Sequence, residues 1–230
     1  HNLYWMDKAN YLKVLEDEKD STIVEHQWTT DGVEFFGYEA NNTGRGETET
    51  EKIKNKDKRK RVSVVWSPNS QRFALIKGDY REVKPLFVIN SIANPRPTLE
   101  QYKYHMPGEE EAPQYELHLF DFADTTQKII PVDTFQDQTL DLMRKPRLKS
   151  DRDNDYNPSY WLADNNEEVY FTRQSRDQKR LDVGKVNFTS GEVTILVEER
   201  QEPYVERYGG ADIRLINDGK ELIQWSERDG

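Results

Sequence analysis

The chain has 230 residues, 34% of them hydrophobic and 33% charged, with a formal net charge of −10 and no cysteine. Disulfides, thiolate metal sites and a cysteine nucleophile are excluded. The acidic balance argues against a nucleic-acid partner, and no run approaches the roughly 18 apolar residues of a membrane-spanning helix.

The opening "HNLYWMD" reads as a strand, and both ends of the chain read as cuts. "NLYWMDKANYLKVL" reads as an alternating strand, a polar turn and a short apolar strand, which makes residues 1–30 an outer half-blade. Residues 31–61 form a charged insertion ending in the basic run "KIKNKDKRKR", Lys52 to Arg61, read as a solvated loop since no aromatic residue interleaves it. "VSVVWSPNSQRFALIKGD", Val62 to Asp79, follows as two apolar strands around a Ser-Pro-Asn-Ser turn. "SYWLADNNEEVYFTRQ" and "IRLINDGKELIQWSERDG" share that plan, with Asp164-Asn165-Asn166 and Asp218-Gly219 as turns and short strands ending at Trp161 and Leu215. Asn, Asp and Gly suit such turns because they accept positive φ.

A second kind of hairpin recurs as "YELHLFDFADTTQKIIPV" and "LDVGKVNFTSGEVTILV". Alternation places Leu117, Leu119 and Phe122 near one face, with His118 as a structural or surface residue. In order, the units make four-stranded antiparallel meanders, the blades of a β-propeller. The fold class predicted is all-β, a partial propeller: 1–30 outer half-blade, 31–61 insertion, 62–135 blade with a long insertion, 156–200 blade, 211–230 inner half-blade. An ordinary β-sandwich with similar hairpins is the competing architecture. Five Trp, twelve Tyr and nine Phe supply burial through rings that the low hydrophobic fraction does not.

The insertion "NPRPTLEQYKYHMPGE", Asn94 to Glu109, downstream of "VVWSPNSQRFAL" and upstream of "YELHLFD", resembles the dipeptidyl peptidase IV family, prolyl-oligopeptidase-type serine peptidases, in a form like that of Bacteroidetes. "SERDG" at the chain end is similar to a blade ending of that family. The resemblance implies an N-terminal propeller of about eight blades capping an α/β-hydrolase domain that carries Ser, Asp and His. At about 45 residues per blade this chain spans about half of such a propeller. No G-x-S-x-G nucleophile elbow occurs, so no catalytic residue is assigned to His1, His26, His105 or His118.

The resemblance further implies a non-catalytic role: gating, and positioning peptides for a hydrolase domain outside this chain. Family members that release dipeptides anchor the peptide's free ammonium on paired glutamates just before the W-S-P hairpin. Here Tyr38 and Glu39 fall where that run lies, but Ala40 and Asn41 follow, so the consecutive pair is missing; Glu47, Glu49 and Glu51 are a displaced version or a charged loop. Tyr38 and Glu39 are the candidate substrate-binding residues. No cofactor is expected. Asp151, Asp153 and Asp155 with Asn157 carry the spacing of half a calcium loop but lack its Gly and final glutamate, so they read as a linker and no metal is assigned. The partners expected are peptide substrates through the parent enzyme, its own hydrolase domain and a homodimer formed through unpaired terminal strands. The location expected is periplasmic or secreted. The alternative is a free-standing propeller-like binding module for a glycan or protein.

Overall fold

A computed structural model describes residues 1–39, 46–56, 60–146, 158–206 and 213–228. In chain order the elements are β1 (Tyr4–Trp5), α1 (Lys8–Glu16), β2 (His26–Gln27), α2 (Glu49–Asn55), β3 (Val65–Trp66), β4 (Arg72–Asp79), β5 (Pro85–Asn90), β6 (Thr98–Lys103), β7 (Gln114–Asp121), β8 (Thr126–Ile130), β9 (Thr139–Leu142), β10 (Glu168–Gln174), β11 (Arg180–Asn187), β12 (Val193–Arg200), β13 (Ile213–Ile216) and β14 (Glu221–Gln224). The chain is mostly β, in antiparallel sheets. It divides into two compact units, residues 1–63 with 77–114 and residues 64–76 with 115–230.

The second unit holds the large core. Its sheets run in the orders β3-β4-β7-β8 and β9-β10-β11-β12, each four-stranded. The first hairpin is fixed by its turn. Ser67 is fully buried; its hydroxyl accepts from the Arg72 amide at 3.0 Å and donates to Asn69 Oδ1 at 2.8 Å. Asn69 Oδ1 also accepts from the Gln71 amide at 3.1 Å, and Ser70 takes φ +57. A polar side chain thus satisfies the backbone groups that the tight reversal leaves without ladder partners. The same device recurs at Ser175–Arg180, where Ser175 Oγ donates to Asp177 at 2.5 Å, accepts from the Arg180 amide at 3.1 Å, and Gln178 takes φ +60.

Two expectations for this unit are corrected. Tyr160 and Trp161 form no strand of a hairpin with β10; they make isolated bridges to Trp66 and Arg144, and the strand beside β10 on the side away from β11 is β9. Trp66 donates its amide to Ser159 O at 2.7 Å, and Trp161 donates to Trp66 O at 2.9 Å, so these tryptophans join the two sheets. Nor does β7 alternate: Leu117, His118, Leu119 and Phe120 are all buried. Leu117 and Leu119 enter the core with Trp161, Tyr170 and Phe171. On the opposite side Phe120 stacks on Phe73 at 4.7 Å, and Phe122 joins that ring group rather than the leucines. His118 is structural, between Glu116 Oε2 at 2.9 Å and the Gln127 amide at 2.8 Å. Gly184 is required by packing, because a Cβ there would lie 2.7 Å from the Phe171 ring. The β13–β14 hairpin turns through Asn217, Asp218 and Gly219, all at positive φ.

The first unit departs further from the expected all-β plan. Instead of a strand-turn-strand over "NLYWMDKANYLKVL", β1 pairs with β2, and residues 8–16 are helical. Asp7 caps α1 by accepting from the Asn10 amide at 2.8 Å, and the following Lys, Ala and Leu residues are good helix formers. The insertion holds a second helix, α2, whose Thr48 and Glu51 form a reciprocal capping box. The segment between β4 and β7 is a two-stranded hairpin, β5–β6, in register from Pro85 opposite Lys103 to Asn90 opposite Thr98. Among the described residues no helix is long and apolar enough to cross a membrane.

Candidate functional site

The candidate residues lie on the segment Asp31–Glu39 of the first unit. Val33 and Phe36 exchange both backbone hydrogen bonds at 3.0 Å, closing a tight turn over Glu34 and Phe35. Phe35 takes φ +66, a conformation costly for a bulky residue. Gly46 makes room for it, since a Cβ there would lie 2.5 Å from the Phe35 ring.

Cations pin the turn. Lys103 Nζ sits 4.7 Å from the centre of the Phe35 ring, and Arg81 sits 4.4 Å from that of Phe36. Lys77, on β4, is fully buried. Its ammonium lies 3.4 Å from the Phe36 ring centre, 4.4 Å from that of Tyr38 and 2.6 Å from Asp31 Oδ2. A buried ammonium needs a carboxylate and π-faces to replace its water, and this box supplies both. Burial pushes the Asp31 carboxyl up, but hydrogen bonds from Lys77 and Tyr38 outweigh it and hold the group below its ordinary value.

Tyr38 is buried. Its hydroxyl donates to Asp31 at 3.0 and 3.2 Å, and its amide donates to His1 O at 3.0 Å. Its ring and hydroxyl therefore fix the segment. Glu39 Oε1 lies 2.5 Å from His1 Nδ1 and 3.9 Å from Lys60 Nζ. Its other oxygen folds back over Gly37, where a Cβ would lie 1.8 Å away.

The later glutamates separate. Glu47 joins Glu39 through Lys60, whose ammonium lies 3.0 Å from Glu47 Oε2, while Asn55 donates to Glu47 Oε1 at 2.9 Å. Hydrogen bonds from Asn55 and Lys60 hold the Glu47 carboxyl below the usual range. Glu49 pairs with Lys52 on the exposed side of α2, and Glu51 is consumed by the capping box. The basic run is thus not a uniform solvated loop: its first part is helical, and Lys60 sits between two carboxylates. α2 is tied down by Glu100, a buried carboxylate that accepts from the Thr50 hydroxyl, the Thr50 amide at 3.0 Å and the Thr98 hydroxyl at 3.0 Å. Those bonds, the Thr50 hydroxyl first, lower its pKa from 4.5 to about 2.

Lys77, Asp31, Lys60 and Glu100 were not singled out from sequence; a lysine inside the apolar run "RFALIKGD" was the one local signal. Among the described residues no group of three or more His, Asp or Glu side chains is arranged to hold a metal ion. The Lys149–Asn157 stretch and the residues after Glu39 up to Arg45 lie outside the described residues.

Residues 59–230 match the model of the dipeptidyl peptidase IV (DPP IV) N-terminal region. The chain belongs to that family. Among solved structures, dipeptidyl peptidase 4 of Porphyromonas gingivalis superposes with a TM-score of 0.64 at 18% identity, over 90% of this chain and 26% of that one. A dipeptidyl aminopeptidase IV-like chain from Bacteroides ovatus gives 0.55 at 20% identity, over 74% of this chain and 22% of that one. At these identities the likeness is one of fold. The chain spans about a quarter of the length of each, 26% and 22%. No curated protein sequence matches it. The match begins at residue 59, so Tyr38 and Glu39 precede the matched segment.

Proposed function

We propose that this chain is the non-catalytic propeller portion of a dipeptidyl-peptidase-IV-like serine peptidase, secreted or periplasmic, that positions peptides for a hydrolase domain outside residues 1–230. The family match carries the reading. The sheets β3-β4-β7-β8 and β9-β10-β11-β12 are two successive four-stranded meanders, as consecutive blades would be. The outer half-blade, now including α1, and the β13–β14 hairpin are the flanking pieces, and the β5–β6 hairpin is an insertion within the first blade.

Within that frame Glu39 is the anchor for a peptide's free ammonium, and Tyr38 is the buried post beneath it. The support is that one oxygen of Glu39 already faces the His1 ring nitrogen and the Lys60 ammonium, while its neighbours are immobilised by rings and by Lys77. A carboxylate on a fixed backbone loses little freedom when it binds an ammonium, which favours binding. The test is kinetic, on the full product of the gene. Glu39→Gln should raise KM for an unblocked Ala-Pro chromogenic substrate about tenfold or more, corresponding to loss of a charge-assisted hydrogen bond, with kcat little changed. An unchanged KM would remove Glu39 from the site.

A further inference from the structure

Glu39 and Glu47 come from opposite ends of a stretch whose middle residues are not described, yet their carboxylates flank one ammonium. Lys60 Nζ is 3.0 Å from Glu47 Oε2 and 3.9 Å from Glu39 Oε1. Both glutamate side chains are largely buried, 17% and 14% exposed, whereas that of Lys60 is 50% exposed. The two contacts are unequal. Glu47 holds Lys60 at hydrogen-bond distance and is itself oriented by Asn55. Glu39 is reached only at the outer limit of an ion pair.

We propose that Lys60 is a tethered internal competitor for the amine anchor: its ammonium occupies the approach to Glu39 Oε1 until a peptide ammonium displaces it. This rests on the reading of Glu39 as that anchor. Glu47 is the hinge point of the device. It keeps Lys60 within reach of Glu39, so the competing charge stays at high local concentration without free diffusion. It also gives Lys60 a carboxylate partner after displacement, so opening leaves no charge unpaired. Because half of the lysine side chain already meets water, its withdrawal carries little desolvation penalty. An ion pair whose ammonium is half in water is weak, so its removal is read as a few-fold change in affinity. The competition is therefore a tuning device rather than a lock.

The surroundings of Glu39 support a competitive role. Its second oxygen is folded over Gly37. Its first oxygen already meets His1 Nδ1 at 2.5 Å. An arriving ammonium has to share Oε1, and of the two groups there Lys60 is the more weakly held, at 3.9 Å.

The experiment is a titration of the 230-residue chain with alanyl-proline amide, with its N-acetylated form as the blocked control, followed by NMR. The variants are Lys60→Ala, Lys60→Arg and Glu39→Gln. Lys60→Ala should lower the dissociation constant of the unblocked peptide about threefold, and Lys60→Arg should leave it near the wild-type value. The gap between wild type and Lys60→Ala should narrow as salt rises, because screening weakens an exposed competitor. Glu39→Gln should abolish the difference between unblocked and acetylated peptide. If Glu39→Gln does so while Lys60→Ala binds no more tightly than wild type, the competitor role is refuted and the anchor stands. If blocked and unblocked peptides bind alike, or neither binds, the anchor itself is refuted and the competitor role falls with it.

Discussion

Replacing Lys77 tests how the candidate segment is held. Its ammonium makes one charge-assisted hydrogen bond to Asp31 at 2.6 Å, worth about 1.5–3 kcal/mol. Contacts with the rings of Phe36 and Tyr38, at 3.4 and 4.4 Å, add about 1–2 kcal/mol together. Against these stands the cost of keeping an ammonium out of water, several kcal/mol. Asp31 is half-exposed, so it rehydrates when its partner is removed instead of remaining as a stranded buried charge. Lys77→Met, which keeps the side-chain volume, should therefore cost only about 1 kcal/mol. Lys77→Ala should cost about 3 kcal/mol more, because it opens a cavity against two rings. Urea unfolding followed by circular dichroism measures both. A Met variant as damaging as the Ala variant would mean that electrostatics, not packing, carries this site. An Ala variant within 1 kcal/mol of wild type would mean that Lys77 is not the post the segment rests on.

Gly37→Ala should change stability by less than about 1 kcal/mol, since the obstacle to its Cβ is the movable end of Glu39, but it should shift the Glu39 carboxyl carbon resonance as the group swings away. Glu100 has its pKa lowered in the folded state, so its contribution to stability is complete above 4.5 and is lost as pH falls towards about 2. The Thr50 amide resonance should accordingly titrate with a midpoint near 2, and Glu100→Gln should remove that titration; a midpoint near 4.5 would contradict the bonding described. Amide exchange should be fastest in the two-stranded β1–β2 and β13–β14 pairs and slowest in β10 and β11, which are paired on both sides; full protection of those two-stranded pairs would oppose this.

Much of the second unit was legible because its turns are spelled in side chains. Ser-Pro-Asn-Ser and Asn-Asp-Gly each mark the place where the chain reverses at positive φ, and short apolar runs flank both. The Ser175–Arg180 turn uses the same chemistry as Ser67–Arg72, a serine followed at the same offsets by Asn or Asp and by Arg, but it was not singled out from sequence. The burial of β7 on both faces was not readable, because alternation predicts one wet face and nothing local announces that Phe73 will cover the other. Both helices were written in their caps, Asp7 before Asn10 and Thr48 before Glu51. The short apolar run "YLKVL" hid the first, since over five residues a strand and a helix cannot be told apart by periodicity. The candidate residues were named from the sequence, but the groups the fold gathers around them were not. Tyr38 and Glu39 are sequence neighbours, whereas Lys60, Lys77 and Asp31 reach them only through the fold, and charged residues are so common in this chain that no single lysine stands out.

The proposed function divides labour between this chain and a hydrolase domain outside residues 1–230. The direct measurement is turnover of an Ala-Pro chromogenic substrate by the complete gene product beside that by the purified 230-residue chain. The account predicts cleavage by the complete product and none by the chain. Cleavage by the chain alone, or a complete product with no peptidase activity, would contradict it.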